Sequence, residues 1–192
     1  MPRRGFPSGL LSDEALLSGM AAGDHDATVA FVRRFQSKVY GLALTILGDP
    51  ATAEDVAQRA FERAWRHAAM YDPRRGSART WLSTITRNLA IDAGRVPRGI
   101  PVDPESLTTV MVSLTDNPES RALGSERAEL VRAALRQLPL EQARAVTMAS
   151  IYGMTCAEVA EIEGIPVGTV KTRVHAAMRK LRVALVEEGS AP

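Results

Sequence analysis

The sequence predicts an all-α protein: two small helical domains joined by a flexible linker, the C-terminal one a helix-turn-helix. Three observations predict it. Apolar residues recur at spacings of three and four, and no convincing segment alternates with period two. Pro97, Pro101, Pro104 and Pro118 punctuate a polar, slightly acidic stretch that is too long for an ordinary loop inside a compact domain. Beyond it, a short capped segment, a glycine and a longer basic segment follow one another in helix-turn-helix order. The expected division is a tail over 1–24, a first domain over 25–96, a linker over 97–122 and a second domain over 123–188.

The elements follow in order. After a flexible start, Asp13 to Ala22 is a short helix candidate. From about Asp24 a long helix carries Ala27, Phe31, Phe35, Val39, Leu42 and Ile46 on one face and stops at Gly48-Asp49-Pro50. Thr52 and Asp55 have the spacing of a capping box for a second helix reaching Met70. Asp72-Pro73-Arg74-Arg75-Gly76 reads as a loop, and Ser77 can cap a third helix to about Gly94 with Trp81, Leu82, Ile85 and Leu89 on its buried side. Past the linker, helices are expected over 125–138, ending at Pro139, and over 140–152, ending at Gly153.

Composition narrows the class. A chain of 192 residues with 45% hydrophobic and 24% charged residues is that of a globular protein. No apolar run approaches a membrane span, so no membrane insertion is expected. The start is basic but lacks the apolar core of a secretion signal, so a cytoplasmic location is expected. A single cysteine, Cys156, excludes an internal disulfide or a cysteine-based zinc cluster. His25, His67 and His175 have no metal-ligand spacing, so no metal is expected. No cofactor is expected either. No nucleophile–base pair, paired carboxylates or Gly-rich phosphate loop is evident, which argues against an enzyme. The net charge is only +2, so basic charge matters through its placement on particular helices.

That placement is clearest near the C-terminus. Thr155 and Glu158 form a capping-box pair at the start of a short helix, Gly164 suits the turn, and Pro166 or Val167 opens the next helix. Lys171, His175, Arg179 and Arg182 fall within about a quarter turn of one another. Val170, Val174, Met178, Leu181 and Leu185 form the opposite stripe, and no acid lies between Ile165 and Val186. A helix against DNA phosphates needs such a face; the plain alternative is a solvated basic face on an ordinary amphipathic helix.

Three segments of the first domain complete a pattern. They are Val39 to Asp49 (VYGLALTILGD), Ala53 to Trp65 (AEDVAQRAFERAW) and Arg75 to Asn88 (RGSARTWLSTITRN). In this order, ahead of the helix-turn-helix, they resemble an extracytoplasmic-function (ECF) sigma factor of the sigma-70 family. The resemblance covers about residues 25–96 and 123–188. It implies a dissociable, non-catalytic subunit that binds core RNA polymerase through its beta-prime and beta subunits. Such a subunit recognises the promoter −10 and −35 elements and directs initiation at a specific gene set.

By that resemblance the second helix docks on a coiled coil of the beta-prime subunit, with Asp55, Gln58, Arg59 and Glu62 as candidates. Read from spacing alone, Asp55–Arg59 and Glu62–Arg66 are equally i,i+4 ion pairs on a solvated helix. Arg59 departs from the family, which usually places an acid after the Gln; Asp55, Gln58 and Glu62 are therefore the better candidates, and Arg59 is expected to weaken docking. The loop and third helix correspond to the part that opens the −10 element, with Arg74, Arg75, Arg79, Arg87 and Asn88 supplying cations and polar edges. Trp81 reads as core or as a stacking platform. The end of this helix, up to Arg98, is less basic than usual in the family, so a weak phosphate grip is expected there.

The second domain would read the −35 element through Lys171, Thr172, Arg173, His175, Arg179 and Arg182. Thr172 and His175 suit base edges, Lys171 and Arg179 suit bases or phosphates, and Arg182 suits phosphate. The resemblance further implies a linker threaded near the RNA exit path, although its composition equally fits a plain tether. An anti-sigma factor is the remaining implied partner, and with Pro192 last, no appended C-terminal regulatory domain is expected. Two rivals stay open from the residues themselves. One is a self-sufficient regulator that binds duplex DNA alone; the other is a protein–protein module that tolerates substitution in both DNA surfaces.

Overall fold

The structure is a computed structural model that describes residues 11–94 and 133–188. The linker expected over 97–122, and most of the helix expected over 125–138, lie outside the described residues, with 133–136 helical at its end. Among the described residues every regular element is helical.

Helix α1 (Asp13–Ala21) is capped by Ser12, whose hydroxyl accepts from the Ala15 N–H at 3.1 Å. It inserts Leu16, Leu17 and Met20, all nearly inaccessible, into the first bundle. Each such burial contributes about 1.5–3 kcal/mol, so the segment read as a tail is physically part of that bundle. Helix α2 (His25–Leu47) starts at Asp24, whose carboxylate accepts from the N–H groups of Asp26 and Ala27. It ends at Gly48, held at φ 76°, where a side chain would be strained.

Helix α3 (Pro50–His67) begins earlier than the Thr52–Asp55 spacing predicts. Asp49 is the cap: its side chain accepts from the Thr52 N–H at 2.8 Å, and Pro50 occupies the first helical position, where its missing N–H costs nothing. Its buried side is small, with Ala53, Val56, Ala60 and Ala64, so α3 can lie close against α2 and α4. Two short 3₁₀ turns, Ala68–Met70 and Pro73–Arg75, lead to α4 (Ala78–Ala93), capped by Ser77 as expected.

In the second half, α5 (Leu140–Val146) runs into a π turn over Thr147–Ile151 in place of one straight helix to Tyr152. The N–H of Tyr152 reaches the Thr147 carbonyl at 3.2 Å, a wider turn that re-aims the phenol. Helix α6 (Cys156–Glu163) has the full capping box between Thr155 and Glu158 and ends at Gly164, φ 66°. Helix α7 (Val167–Glu188) follows. Its inner line is Val170 and Ala177, fully buried, with Val174 and Leu181 half-buried. Met178, expected in that stripe, is 42% exposed because it lies at the stripe's edge, two turns after Lys171, while Ala177, one turn after Val174 and two after Val170, takes the central position.

The apolar interior does not divide at the domain boundary. One contiguous cluster runs from Leu16, Phe31 and Leu82 through Met148, Met154, Val159, Ile162 and Val170. A smaller cluster, with Leu135, Leu138, Ala143, Val146 and Ala177, lies under the middle of α7.

Candidate nucleic-acid and partner interfaces

On α3 the alanine side faces the bundle, which forces the polar side outward. Asp55, Gln58, Arg59 and Glu62 are all exposed. They are laced together: Arg59–Asp55 at 3.6 Å, Arg66–Glu62 at 3.6 Å, and the Gln58 amide donating to Glu62 at 3.2 Å. Exposed pairs of this kind contribute a few tenths of a kcal/mol, too little to explain the face as a stability device. One neighbour went unnoticed in the sequence. Trp65 continues the Gln58–Glu62 line at the next helical step and is 59% exposed. Below it, Met70 is also exposed.

The loop between α3 and α4 is braced from within. Asp72 accepts from the Arg74 N–H and from two of its guanidinium nitrogens at 3.1 and 3.2 Å. The hydrogen bonds from Arg74 hold the Asp72 carboxyl below its ordinary range. Tyr71 donates to the Gly76 carbonyl at 2.9 Å and packs its ring on Trp81, with centroids 5.7 Å apart. Trp81 is half-buried, with the Tyr71 ring tilted against it. Arg74, Arg75 and Arg79 stay exposed around this loop, with Arg79 3.9 Å from Asp13 of α1. Lys38 of α2 lies in the same neighbourhood, and burial, then the nearby Arg79, pushes its ammonium below the ordinary lysine range.

Further along α4, Asn88 is exposed but Arg87 is not free. Arg87 forms an ion pair with Glu158 of α6, and its side chain is only 21% accessible. Of the −10 candidates, Arg74, Arg75 and Arg79 are exposed around the loop and Asn88 is exposed on α4, Trp81 is half-buried, and Arg87 is covered by the second half of the chain.

On α7, Lys171, Thr172, His175 and Arg179 line a shallow concavity of about 490 Å³ on the solvent side, and Arg182 is exposed beyond them. The Thr172 hydroxyl donates to the Gly168 carbonyl at 3.0 Å, so towards a base it has only acceptor capacity left. Arg173 is set apart. It lies 3.8 Å from Glu163, which also binds Arg144, so the acid that the local sequence lacks is supplied across the turn. Among the described residues no His/Cys/Asp/Glu group could hold a metal, and no helix is long and apolar enough to cross a membrane.

Comparison with known proteins decides the class. Residues 31–96 match the family model of sigma-70 region 2, and residues 128–181 match that of sigma-70 region 4. The ECF RNA polymerase sigma factor SigL of Mycobacterium tuberculosis is 37% identical over 183 residues, covering 91% of this chain and 98% of SigL. The chain belongs to the ECF sigma factors. SigW of Bacillus subtilis is 33% identical, over 85% of this chain and 91% of its own. Among solved structures, CnrH bound to the cytosolic domain of CnrY aligns with a TM-score of 0.47 at 22% identity, covering 93% of this chain and 99% of CnrH. The sigma factor RpoE bound to the anti-sigma factor NepR, from Bartonella quintana, aligns with a TM-score of 0.42 at 20% identity, covering 80% of this chain and 93% of RpoE. As a sigma factor the chain is an initiation subunit and not an enzyme: with core RNA polymerase it recognises promoters and directs transcription initiation.

Proposed function

We propose that this sigma factor divides its work among three surfaces. The α3 face with Asp55, Gln58, Glu62 and Trp65 docks on the polymerase beta-prime subunit, with Arg59 opposing that contact. The Asp72–Ser77 loop and α4 hold the unpaired −10 strand through Arg74, Arg75, Arg79 and Asn88, with Arg87 joining when it is uncovered and Trp81 offering its free face for stacking. Lys171, Thr172, His175, Arg179 and Arg182 read the −35 duplex, while Arg173 acts chiefly as a brace. In this reading α1 belongs with residues 25–96 as one polymerase-facing unit, and 133–188 form the duplex-reading unit.

The single observation that carries the reading is the α7 face. Four polar and basic side chains share one exposed concavity, while the inner side of the same helix is fully buried at Val170 and Ala177. A solvated stabilising face would have acids interleaved at i,i+4, and this one has none. A cytoplasmic location is part of the proposal, because polymerase and chromosomal DNA must both be accessible. Family membership supports an anti-sigma factor as a further partner.

Adding the purified chain to sigma-free core polymerase with promoters from its own genome tests the assignment of surfaces. Specific transcripts should appear, and His175→Ala should change base preference at the −35 site. A uniform loss across sequences would make His175 a backbone contact instead.

A further inference from the structure

Cations from two helices converge where α1, α2 and α4 meet. Arg34 and Lys38 lie one turn apart on α2, and Arg79 approaches them from the first turn of α4. The acids at this junction are already engaged. Asp13 of α1 serves both arginines, at 3.1 Å from Arg34 and 3.9 Å from Arg79. The adjacent Glu14 accepts from the Ala78 N–H at 3.4 Å, at the start of α4. Among the described residues no carboxylate comes within ion-pair distance of the Lys38 ammonium. It lies 6.0 Å from the centre of the Phe35 ring, the outer limit of a cation–π contact.

Like charges one turn apart on a helix oppose folding. Lys38 is half-buried as well: burial, then Arg79 and Arg34, disfavour its charged form, and Asp13 offsets this only in part. An uncharged side chain at position 38 would pack near Phe35 without that repulsion. Three cations around one shared acid suit an anion arriving from outside. The position says which anion. Arg79 belongs both to this cluster and to the rim of the Asp72–Ser77 loop. Burial, then Glu14, Asp72 and Asp13, raise the Tyr71 phenol above its ordinary range, so loop and junction are neighbours.

We propose that Lys38, with Arg34 and Arg79, forms a phosphate site for the single strand just beyond the bases held at the loop. A phosphate carries no base identity, so the site lengthens the grip on the strand without reading sequence. Helix α1 builds it: Asp13 and the Leu11 carbonyl, at 2.6 Å, hold Arg34, and Asp13 steadies Arg79. The last turn of α4 carries no cation, so the phosphate grip sits at the other end of that helix. This site rests on the reading of the loop as the −10 contact.

The test uses holoenzyme assembled from the full chain and core polymerase. The probe is a labelled single-stranded oligonucleotide copying the non-template strand of a promoter that this holoenzyme transcribes. Lys38→Gln should weaken binding about threefold or more at low salt. It should also lower the slope of log affinity against log salt by about 0.7, the share of one phosphate on a single strand. Lys38→Arg should keep both, and the denaturation midpoint of Lys38→Gln should stay level or rise. A neutral methylphosphonate walked along the oligonucleotide should weaken the parent at one flanking position that Lys38→Gln no longer senses. Unchanged affinity and slope in Lys38→Gln overturn the site. So does an equal loss in Lys38→Arg, which would make the effect structural, or a fall in affinity for core polymerase, which would assign the cluster to that partner. Arg75→Gln reports on the loop separately. Weakening there without a Lys38 effect keeps the loop reading and removes the junction site; a Lys38 effect without it does the reverse.

Discussion

Arg144 and Glu163 meet across the helix-turn-helix through two hydrogen bonds, 2.9 and 2.7 Å, from the Arg144 Nε and a terminal guanidinium nitrogen to one carboxylate oxygen. Both side chains are less than 15% accessible, and the second carboxylate oxygen faces Arg173 at 3.8 Å. One acid therefore ties the end of α6 to α5 on one side and to α7 on the other. Glu163→Gln should destabilise the chain by about 2 kcal/mol, since it leaves a largely buried guanidinium facing a neutral amide. Urea denaturation measures this, and a loss within a few tenths of a kcal/mol would show that the pair is not holding the motif. Arg173 should become more mobile in the same variant.

Two glycines predict opposite signs for one substitution. A Cβ on Gly19 of α1 would lie 2.6 Å from the Ala27 Cβ of α2, so the helices would have to separate. Gly19→Ala should cost about 1–3 kcal/mol, and adding Ala27→Gly should recover part of it. A Cβ on Gly168 meets nothing within 4 Å. Gly168→Ala, near the start of α7, should stabilise the fold by up to about 1 kcal/mol. Denaturation midpoints decide both, and a stabilising Gly19→Ala would mean that α1 is not seated on α2.

Acid should loosen the entry to α3. Hydrogen bonds from the Thr52 hydroxyl and N–H hold the Asp49 carboxyl below its ordinary range. A group with a lowered folded value adds stability that is fully present above its unfolded value, about 4. That stability is lost as pH falls through the lowered value. Asp49→Asn still offers a capping oxygen but does not titrate there, so its stability should fall less steeply below about pH 4. Parallel acid limbs for the two proteins would remove Asp49 from the account.

What the sequence made legible depended on range. Local signals placed Ser77, Asp24, Gly48, the Thr155–Glu158 box and Gly164 at the helix ends where the structure has them, because caps are settled within four residues. Asp49 displaced Thr52 because Pro50 fixes the first turn, a competition between two local signals. The basic face of α7 was legible as a stripe. Arg173 was not, because its partner Glu163 lies across a turn. Arg87 was read as a promoter cation, and nothing short-range reveals that Glu158, about seventy residues on, covers it. Trp65 escaped for a different reason: helical spacing says which residues share a face, and only packing says which face is left uncovered.

That uncovered tryptophan gives the sharpest test of the polymerase-facing surface. Trp65 follows Gln58 and Glu62 along α3 and keeps 59% of its surface accessible, so its ring stabilises the fold little. Large aromatics on exposed docking faces carry much of the binding energy. Trp65→Ala should weaken binding to core polymerase about tenfold or more, with stability changed by no more than about 0.5 kcal/mol. Arg59→Glu should act the other way, since Arg59 lies 3.6 Å from Asp55 and partly neutralises a candidate contact. Fluorescence titration of labelled sigma factor with core polymerase reads both. An unchanged affinity in Trp65→Ala would place the docking surface elsewhere on the helix. If Arg59→Glu leaves affinity equal or lower, the cation does not oppose docking, and Asp55 would have to reach polymerase with its partner still in place.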